Sequence, residues 1–454
     1  MSDKFNLIRF LTVEREKGTI VWLCNIGAEK YWSQSAMGVV DKNEEMIVNR
    51  VEEMSLLLCR KQDIIILRKT PDPEFLNTLS EMGFEIPRIF ALDSEDLITP
   101  ISELILNNKE LLTKLSAETD SKQDVFFVPY AVTYLEEEIA HIAGLKLIGA
   151  KSDICRRVNN KIFNREVSIG LGLPVCEGKI CYSTDEMRVA YTELTTNSPF
   201  FEKVIIKEPT GASGKGLYII DNKERLDSSL RLISRLSKNK PENCWLVEGW
   251  YEKNADLNYQ IYISPEGEVT TFSIKQQLLR GTVYIGSLMP VDMEANILQD
   301  FERMGTLIGK YLYDIGYSGV AGIDAIITSD NVIIPVIEIN GRFTLSTYIS
   351  FLYRLIPQRA VLSRYFRLLT NKPVSYGEIV HRLKEEGILF DNNLHSGIFV
   401  YTSGTLPHEN FEVQGVYAGR LFTIIAAENW EEVESLNQRL QYVVESIMYK
   451  ESVR

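Results

Sequence analysis

Between Gly322 and Arg342 the chain reads GIDAIITSDNVIIPVIEINGR, two apolar runs joined by Ser329-Asp330-Asn331. Apolar runs of this length around a turn triplet predict a β-hairpin. Side chains alternate across a strand, so Glu338 and Asn340, two apart, share a face. Asp324 and Glu338 are equidistant from Asn331, and a hairpin centred there sets them opposite one another. Asp324, Glu338 and Asn340 then converge as three oxygen donors, a set suited to a hard cation such as Mg2+ that shares its shell with water and phosphate. The same residues would also serve as the solvated face of an ordinary hairpin. Pro335 cannot donate to a ladder, so it implies an edge or a bulge, and a bulge would shift the pairing by one residue.

At 454 residues the chain has room for roughly two to four domains or subdomains. With 24% charged and 45% hydrophobic residues it reads as an ordinary soluble globular protein. The formal charge of −13 opposes nucleic-acid or anionic-membrane partners. No apolar run approaches the ~18 residues of a membrane span, and the first residues lack a signal-peptide pattern, so a cytoplasmic location is expected. The six cysteines are scattered without a C-x-x-C pair, which favours reduced thiols. The four histidines show no H-E-x-x-H spacing, so no zinc site is expected.

Strand-like runs at 19–24, 64–67, 84–91 and 125–128 alternate with helical patterns at 44–58 and 73–82. That alternation predicts an open parallel α/β domain over about residues 1–150. It lacks G-x-G-x-x-G, so dinucleotide binding gains no support. A helical stretch at 153–170 contains Lys161 and ends at Gly170-Leu171-Gly172, and another helix covers about 184–195. The strand 204–207 ends on Lys207 and feeds Glu208-Pro209-Thr210-Gly211-Ala212-Ser213-Gly214-Lys215-Gly216, followed by a strand at 217–220. Glycines let backbone N–H groups approach phosphate oxygens, and Lys207 and Lys215 add charge. The alternative is a flexible hairpin connection. A P-loop is excluded, because Pro209 and Gly216 stand where Gly and Ser/Thr are needed and a strand follows where a helix should.

After a helix at 225–237, a strand leads into Glu248-Gly249-Trp250, where a carboxylate and backbone groups could meet a purine. Paired strands at 257–263 and 269–274 and a helix at about 293–313 precede the hairpin. Residues 344–370 read as helical, and Arg354, Arg359, Arg364 and Arg367 fall on more than one face, as on a solvated helix with no single anion site. Short strands follow from Ser396 to Ala427. The terminal helix opens at Asn429 with Glu432 three residues on, and Val433, Leu436, Leu440, Val443, Val444 and Ile447 form one stripe.

Taken in order, Lys161, the Gly172-Leu173-Pro174-Val175 segment, Lys207 with its glycine loop, Val247-Glu248-Gly249-Trp250, Asp324 and Glu338-Ile339-Asn340-Gly341-Arg342 resemble the ATP-grasp superfamily of carboxylate ligases. The resemblance implies an α/β protein of ATP-grasp architecture. An N-terminal open parallel-sheet (pre-ATP-grasp) domain would cover 1–150, a lid subdomain with the glycine loop 151–250, and a core subdomain with the metal site 251–375. A C-terminal β-rich extension with the terminal helix would cover 376–454. It also implies that Lys161 and Lys207 contact ATP phosphates and that Gly211, Ser213, Gly214 and Gly216 belong to a closing lid. Glu248 and the backbone near Trp250 would hold adenine, and Asp256 the ribose. Asp324, Glu338 and Asn340 would bind Mg2+, with Arg342 facing the reacting acyl group.

A carboxylate is a poor electrophile, and phosphoryl transfer from ATP makes it an acyl phosphate by positioning and charge neutralisation. No nucleophilic side chain is required, and no G-x-S-x-G elbow or Cys–His pair is visible. The segment Gln276 to Gly286 and the long flanking regions are similar to peptide ligases and carrier-protein amino-acid ligases of antibiotic pathways. The expected partners are therefore a small carboxylate and an amine or thiol acceptor, the latter on an acyl carrier protein, and a homodimer is compatible with the chain. A nucleotide-binding regulatory protein without turnover is the alternative.

Overall fold

The structure, a computed structural model, describes residues 6–12, 17–32, 41–121, 124–211, 216–237, 244–352, 356 and 359–449. Its N-terminal layer is a five-stranded sheet in which Arg88–Ala91, Ile64–Leu67, Thr19–Leu23, Val125–Pro129 and Lys146–Leu147 lie side by side in that order. The paired strands are parallel throughout. Ile20 to Leu23 and Ile64 to Leu67 are buried on both faces, which explains why they read as unbroken apolar runs. Chain order reverses between Thr19–Leu23 and Val125–Pro129, and the crevice at their carboxyl ends opens toward the hairpin. Asn25 closes that crevice: its amide donates to the Ala131 carbonyl (2.9 Å) and its Oδ1 accepts from the Ala131 N–H (3.0 Å).

A four-stranded antiparallel sheet follows, ordered Gly178–Cys181, Trp245–Gly249, Val204–Lys207 and Leu217–Ile220. The third sheet has nine strands. Its path runs from Ile333–Asn340 through Gly319–Thr328, Lys253–Ile263, Val269–Arg280, Val283–Met289, Ala360–Thr370 and Val416–Ala427 to Gly397–Val400. The Ala295–Asp314 helix lies against it, closely enough that a Cβ at Gly305 would meet Thr271 Oγ1 at 2.6 Å and one at Gly309 would meet Val269 Cγ1 at 2.5 Å.

Several elements differ from the sequence expectation. The stretch 344–370 is not one helix: Leu345–Ile349 is helical, and Ala360–Thr370 is an eleven-residue strand. Its aromatic and apolar residues pair along their whole length with Val416–Ala427, a long-range partner that local helical spacing cannot reveal. The helix expected at 44–58 is an α-helix at Lys42–Asn49 followed by a 3-10 segment at Arg50–Leu58. The 84–91 strand shortens to Arg88–Ala91. The stretch at 153–170 breaks in two, because the Asn160 side chain caps a new helix at Lys161–Gly170, accepting from the Ile162 N–H at 2.8 Å.

The terminal helix, Trp430–Ile447, starts as expected, with Asn429 Oδ1 accepting from the Glu432 N–H at 2.9 Å. Val433, Leu440, Val443 and Val444 are buried in the same core as the strands Ala360–Thr370 and Val416–Ala427. Leu440→Ala, at a fully buried position, is expected to cost about 2–5 kcal/mol, measured as a lower midpoint in urea unfolding followed by tryptophan fluorescence.

Candidate active site

The hairpin pairs Asp324 directly with Glu338 and Gly322 with Asn340. Its irregularity lies on the turn side of the carboxylates, where Ile326 pairs with Ile334 and Pro335 falls in the widened stretch. The bulge anticipated from Pro335 therefore exists and leaves the pair opposed. Tyr259 steadies it by donating from its hydroxyl to the Pro335 carbonyl at 2.9 Å.

Asp324 is held from three sides. Its Oδ1 accepts from Asn258 (2.8 Å) and Gln277 (2.9 Å), and its Oδ2 accepts from Asn340 (3.3 Å). Burial, and then the charge of Glu338, push this carboxyl up to about 6 against the opposing pull of those amides and of Arg342. Two carboxylates fixed opposite one another fit a divalent cation: the pair supplies the oxygens and Asn340 a neutral third donor. Among the described residues no group of three or more His, Cys, Asp or Glu side chains gathers anywhere as a metal site, so this mixed set is the candidate.

Lys161 is the first residue of its helix and reaches the hairpin: its ammonium donates to Glu338 Oε1 at 2.8 Å and to the Gly211 carbonyl at 2.9 Å. It thus ties the start of the glycine loop to a candidate metal ligand. Lys207 ends the Val204–Lys207 strand, with its ammonium 2.6 Å from Glu248 Oε2. Burial works against its charge, but Glu248, helped by Cys176 and Glu338, holds the ammonium above its ordinary range. Glu248, expected near a purine, has its carboxylate engaged by Lys207 and by Arg165, whose Nη1 lies 2.8 Å from Oε1. Asp256 pairs with Lys253 at 2.5 Å, and that ammonium sits 5.3 Å over the Trp250 ring. Gly216 has φ +73°, which suits glycine at the loop's exit. Ser213 and Gly214 lie outside the described residues.

Arg342 leaves the hairpin and meets the N-terminal layer. Its Nη1 donates to the Tyr130 hydroxyl (2.8 Å), its Nη2 to Asn340 Oδ1 (2.9 Å), and its Nε lies 3.0 Å from Glu29 Oε1. The backbone adds a Phe343 N–H bond to the Tyr130 carbonyl at 2.9 Å. Lys161, Lys207, Glu248, Trp250, Asp256, Asp324, Glu338, Asn340 and Arg342 all line one cleft. The arginines of 344–370 do not join it: Arg359 donates to the Leu394 carbonyl, Arg364 to Asn437, and Arg367 pairs with Glu44, while Arg354 is outside the described residues.

Sequence reasoning passed over Glu29 and Tyr130, which sit where the parallel strands change order, a place known only once strand order is known. It also passed over Asn258 and Gln277. These had a signal, because Asn258-x-Gln260 and Ser273-x-Lys275-x-Gln277 are polar residues at strand period inside apolar runs. Among the described residues that line the cleft, no thiol is poised as a nucleophile. Cys176 lines the cleft, but burial pushes its thiol up to about 12, and Cys24 and Cys155 are raised likewise.

Residues 170–343 match the ATP-grasp domain family, residues 51–145 the pre-ATP-grasp domain family, and residues 378–440 the PGM1 C-terminal domain family. The chain is 29% identical over 335 residues, 73% of either protein, to the butirosin acyl-carrier protein–L-glutamate ligase of Niallia circulans. Solved structures share its fold. A biotin carboxylase–βγ-ATP complex from Campylobacter jejuni superposes with a TM-score of 0.55 at 11% identity, covering 95% of this chain and 92% of that one. N5-carboxyaminoimidazole synthase from Aspergillus clavatus with ADP gives 0.52 at 14% identity, covering 94% and 99%. No helix among the described residues is long and apolar enough to cross a membrane.

The Asp324 carboxyl binds its proton more tightly in the fold than the ordinary 3.8 allows, so its contribution to stability is full below that value and is lost as pH rises through about 6. A cation at the site competes with that proton. The thermal shift produced by MgCl2 is therefore expected to grow between about pH 5 and about pH 7. Asp324→Asn should flatten that dependence, as read by differential scanning fluorimetry.

Proposed function

We propose that this chain, which carries a pre-ATP-grasp and an ATP-grasp domain, is an ATP-dependent ligase that activates a small carboxylate, an amino acid, as its acyl phosphate and transfers the acyl group to an amine or thiol. The observation that carries the reading is the one cleft in which Lys161, Lys207, Asp324, Glu338, Asn340 and Arg342 meet, with no activated thiol among its described residues. Phosphoryl transfer to a carboxylate needs charge neutralisation and alignment more than covalent help from the protein, and that set supplies both.

Lys161 and Lys207 are assigned to the ATP phosphates. Asp324, Glu338 and Asn340 are assigned to Mg2+, which when bound supplies Lewis-acid neutralisation of the transferring group. Arg342, kept charged by Tyr130, Glu29 and Glu338 against its burial, is assigned to the acyl phosphate and the oxyanion that follows it. The glycine loop around Gly211, Ser213, Gly214 and Gly216 is assigned to excluding water from the acyl phosphate. Glu248, Trp250 and Asp256 frame the purine and ribose end. Water exclusion matters because hydrolysis competes with the acceptor for the same carbonyl carbon.

For the acceptor, similarity to the acyl-carrier protein–L-glutamate ligase of Niallia circulans favours a carrier-protein thiol, and it makes glutamate the first carboxylate to try. An amine acceptor gives the same first half-reaction and an amide in place of a thioester. A non-catalytic regulatory protein would have no need to keep the carboxylate pair together with Arg342.

ADP and phosphate release, measured over a panel of amino acids offered with amines or with a phosphopantetheinylated carrier protein, decides among these, with mass spectrometry identifying the product. Tight ATP binding with no turnover for any pair would sink the ligase reading. Glu338→Ala is expected to lower ADP release by at least about 100-fold with an unchanged circular dichroism spectrum. Near-normal release from that variant would remove Glu338 from the metal set.

A further inference from the structure

Arg165 stands one turn beyond Lys161 in the same helix, and its side chain is 10% exposed. It is not part of the cleft wall, yet it meets a residue that is. Its Nη1 donates to the Cys176 carbonyl at 2.7 Å and to Glu248 Oε1 at 2.8 Å, and its Nη2 to the Gly178 carbonyl at 2.7 Å. The other oxygen of the same carboxylate lies 2.6 Å from the Lys207 ammonium. One buried carboxylate is thereby shared between two cations, leaving a net charge of about +1 on the cleft side.

The consequence for a phosphate follows from charge alone. With only Lys207 for company, Glu248 would cancel that ammonium and repel an incoming phosphate from the same wall. Arg165 cancels the carboxylate from behind, and its planar fork, anchored on two backbone carbonyls, stops the carboxylate from swinging into the cleft.

We propose that Arg165 is a positioning residue for nucleotide binding: by holding and neutralising Glu248 it leaves Lys207 free to take a phosphate of a nucleoside di- or triphosphate. The inference rests on the nucleotide reading of the cleft, and its test needs no turnover.

The test is calorimetric titration of the full chain with ADP and with adenosine. Arg165→Gln is expected to weaken ADP by about 10- to 50-fold, the scale of a charged hydrogen bond, while adenosine changes less than about twofold. Adding Glu248→Gln to Arg165→Gln removes the uncancelled carboxylate and should tighten ADP by at least about threefold relative to Arg165→Gln alone. Arg165→Lys, which keeps the charge and loses the fork, should weaken ADP less than Arg165→Gln does and gives a folded comparison if the glutamine variant unfolds.

Equal losses for ADP and adenosine, or no recovery in the double variant, would show that Arg165 only braces the Cys176–Gly178 backbone, and would overturn the proposal. A wild-type chain that binds neither ligand overturns the nucleotide reading and this inference together.

Discussion

Two like charges facing one another across adjacent strands are costly unless something stands between or around them, and the rest of the site is built in answer to that cost. Asp324 and Glu338 are fixed opposite one another by backbone pairing, so they cannot drift apart to relieve repulsion. The protein surrounds them instead: Asn258 and Gln277 below, Lys161 from the neighbouring helix, Arg342 from the hairpin's exit. Each of these groups comes from a different element, so the carboxylate pair is what draws the sheets and the Lys161–Gly170 helix to one point.

Arg342 carries that convergence into the N-terminal layer. Its contacts with Glu29 and Tyr130, and the Phe343 N–H bond to the Tyr130 carbonyl, lock the hairpin's exit to the crevice of the parallel sheet. A guanidinium with three different partners on three sides has one orientation available to it, which is the property an oxyanion-facing group needs. The N-terminal domain is then more than a neighbour, because it sets the direction of a residue in the core.

Much of this was legible in the chain. The hairpin register could be read from symmetry about Asn331, since period-two alternation and a short turn leave little freedom. Lys207 and Glu248 were identifiable by their places at strand ends, whereas Lys161, read as lying inside one helix over 153–170, stood out only through the family resemblance. The strand Ala360–Thr370 was not legible, because its identity depends on a partner strand far along the chain, Val416–Ala427, and tertiary pairing overrode a local pattern that also fits a helix. Glu29 and Tyr130 were hidden for a related reason: each is unremarkable locally and acquires meaning only where strand order reverses. Arg165 reads as an ordinary polar position of an amphipathic helix until Glu248 is brought beside it.

The pairing of Ala360–Thr370 with Val416–Ala427 also bears on how the molecule comes into being. Because Val416–Ala427 completes the same sheet that carries Asp324 and Glu338, that sheet cannot close until residues up to Ala427 have left the ribosome. The parallel layer, drawn entirely from residues up to Leu147, has all its strands in hand far earlier. Synthesis thus passes through a stage in which the crevice that will receive Arg342 already exists while the arginine's own sheet still has open edges.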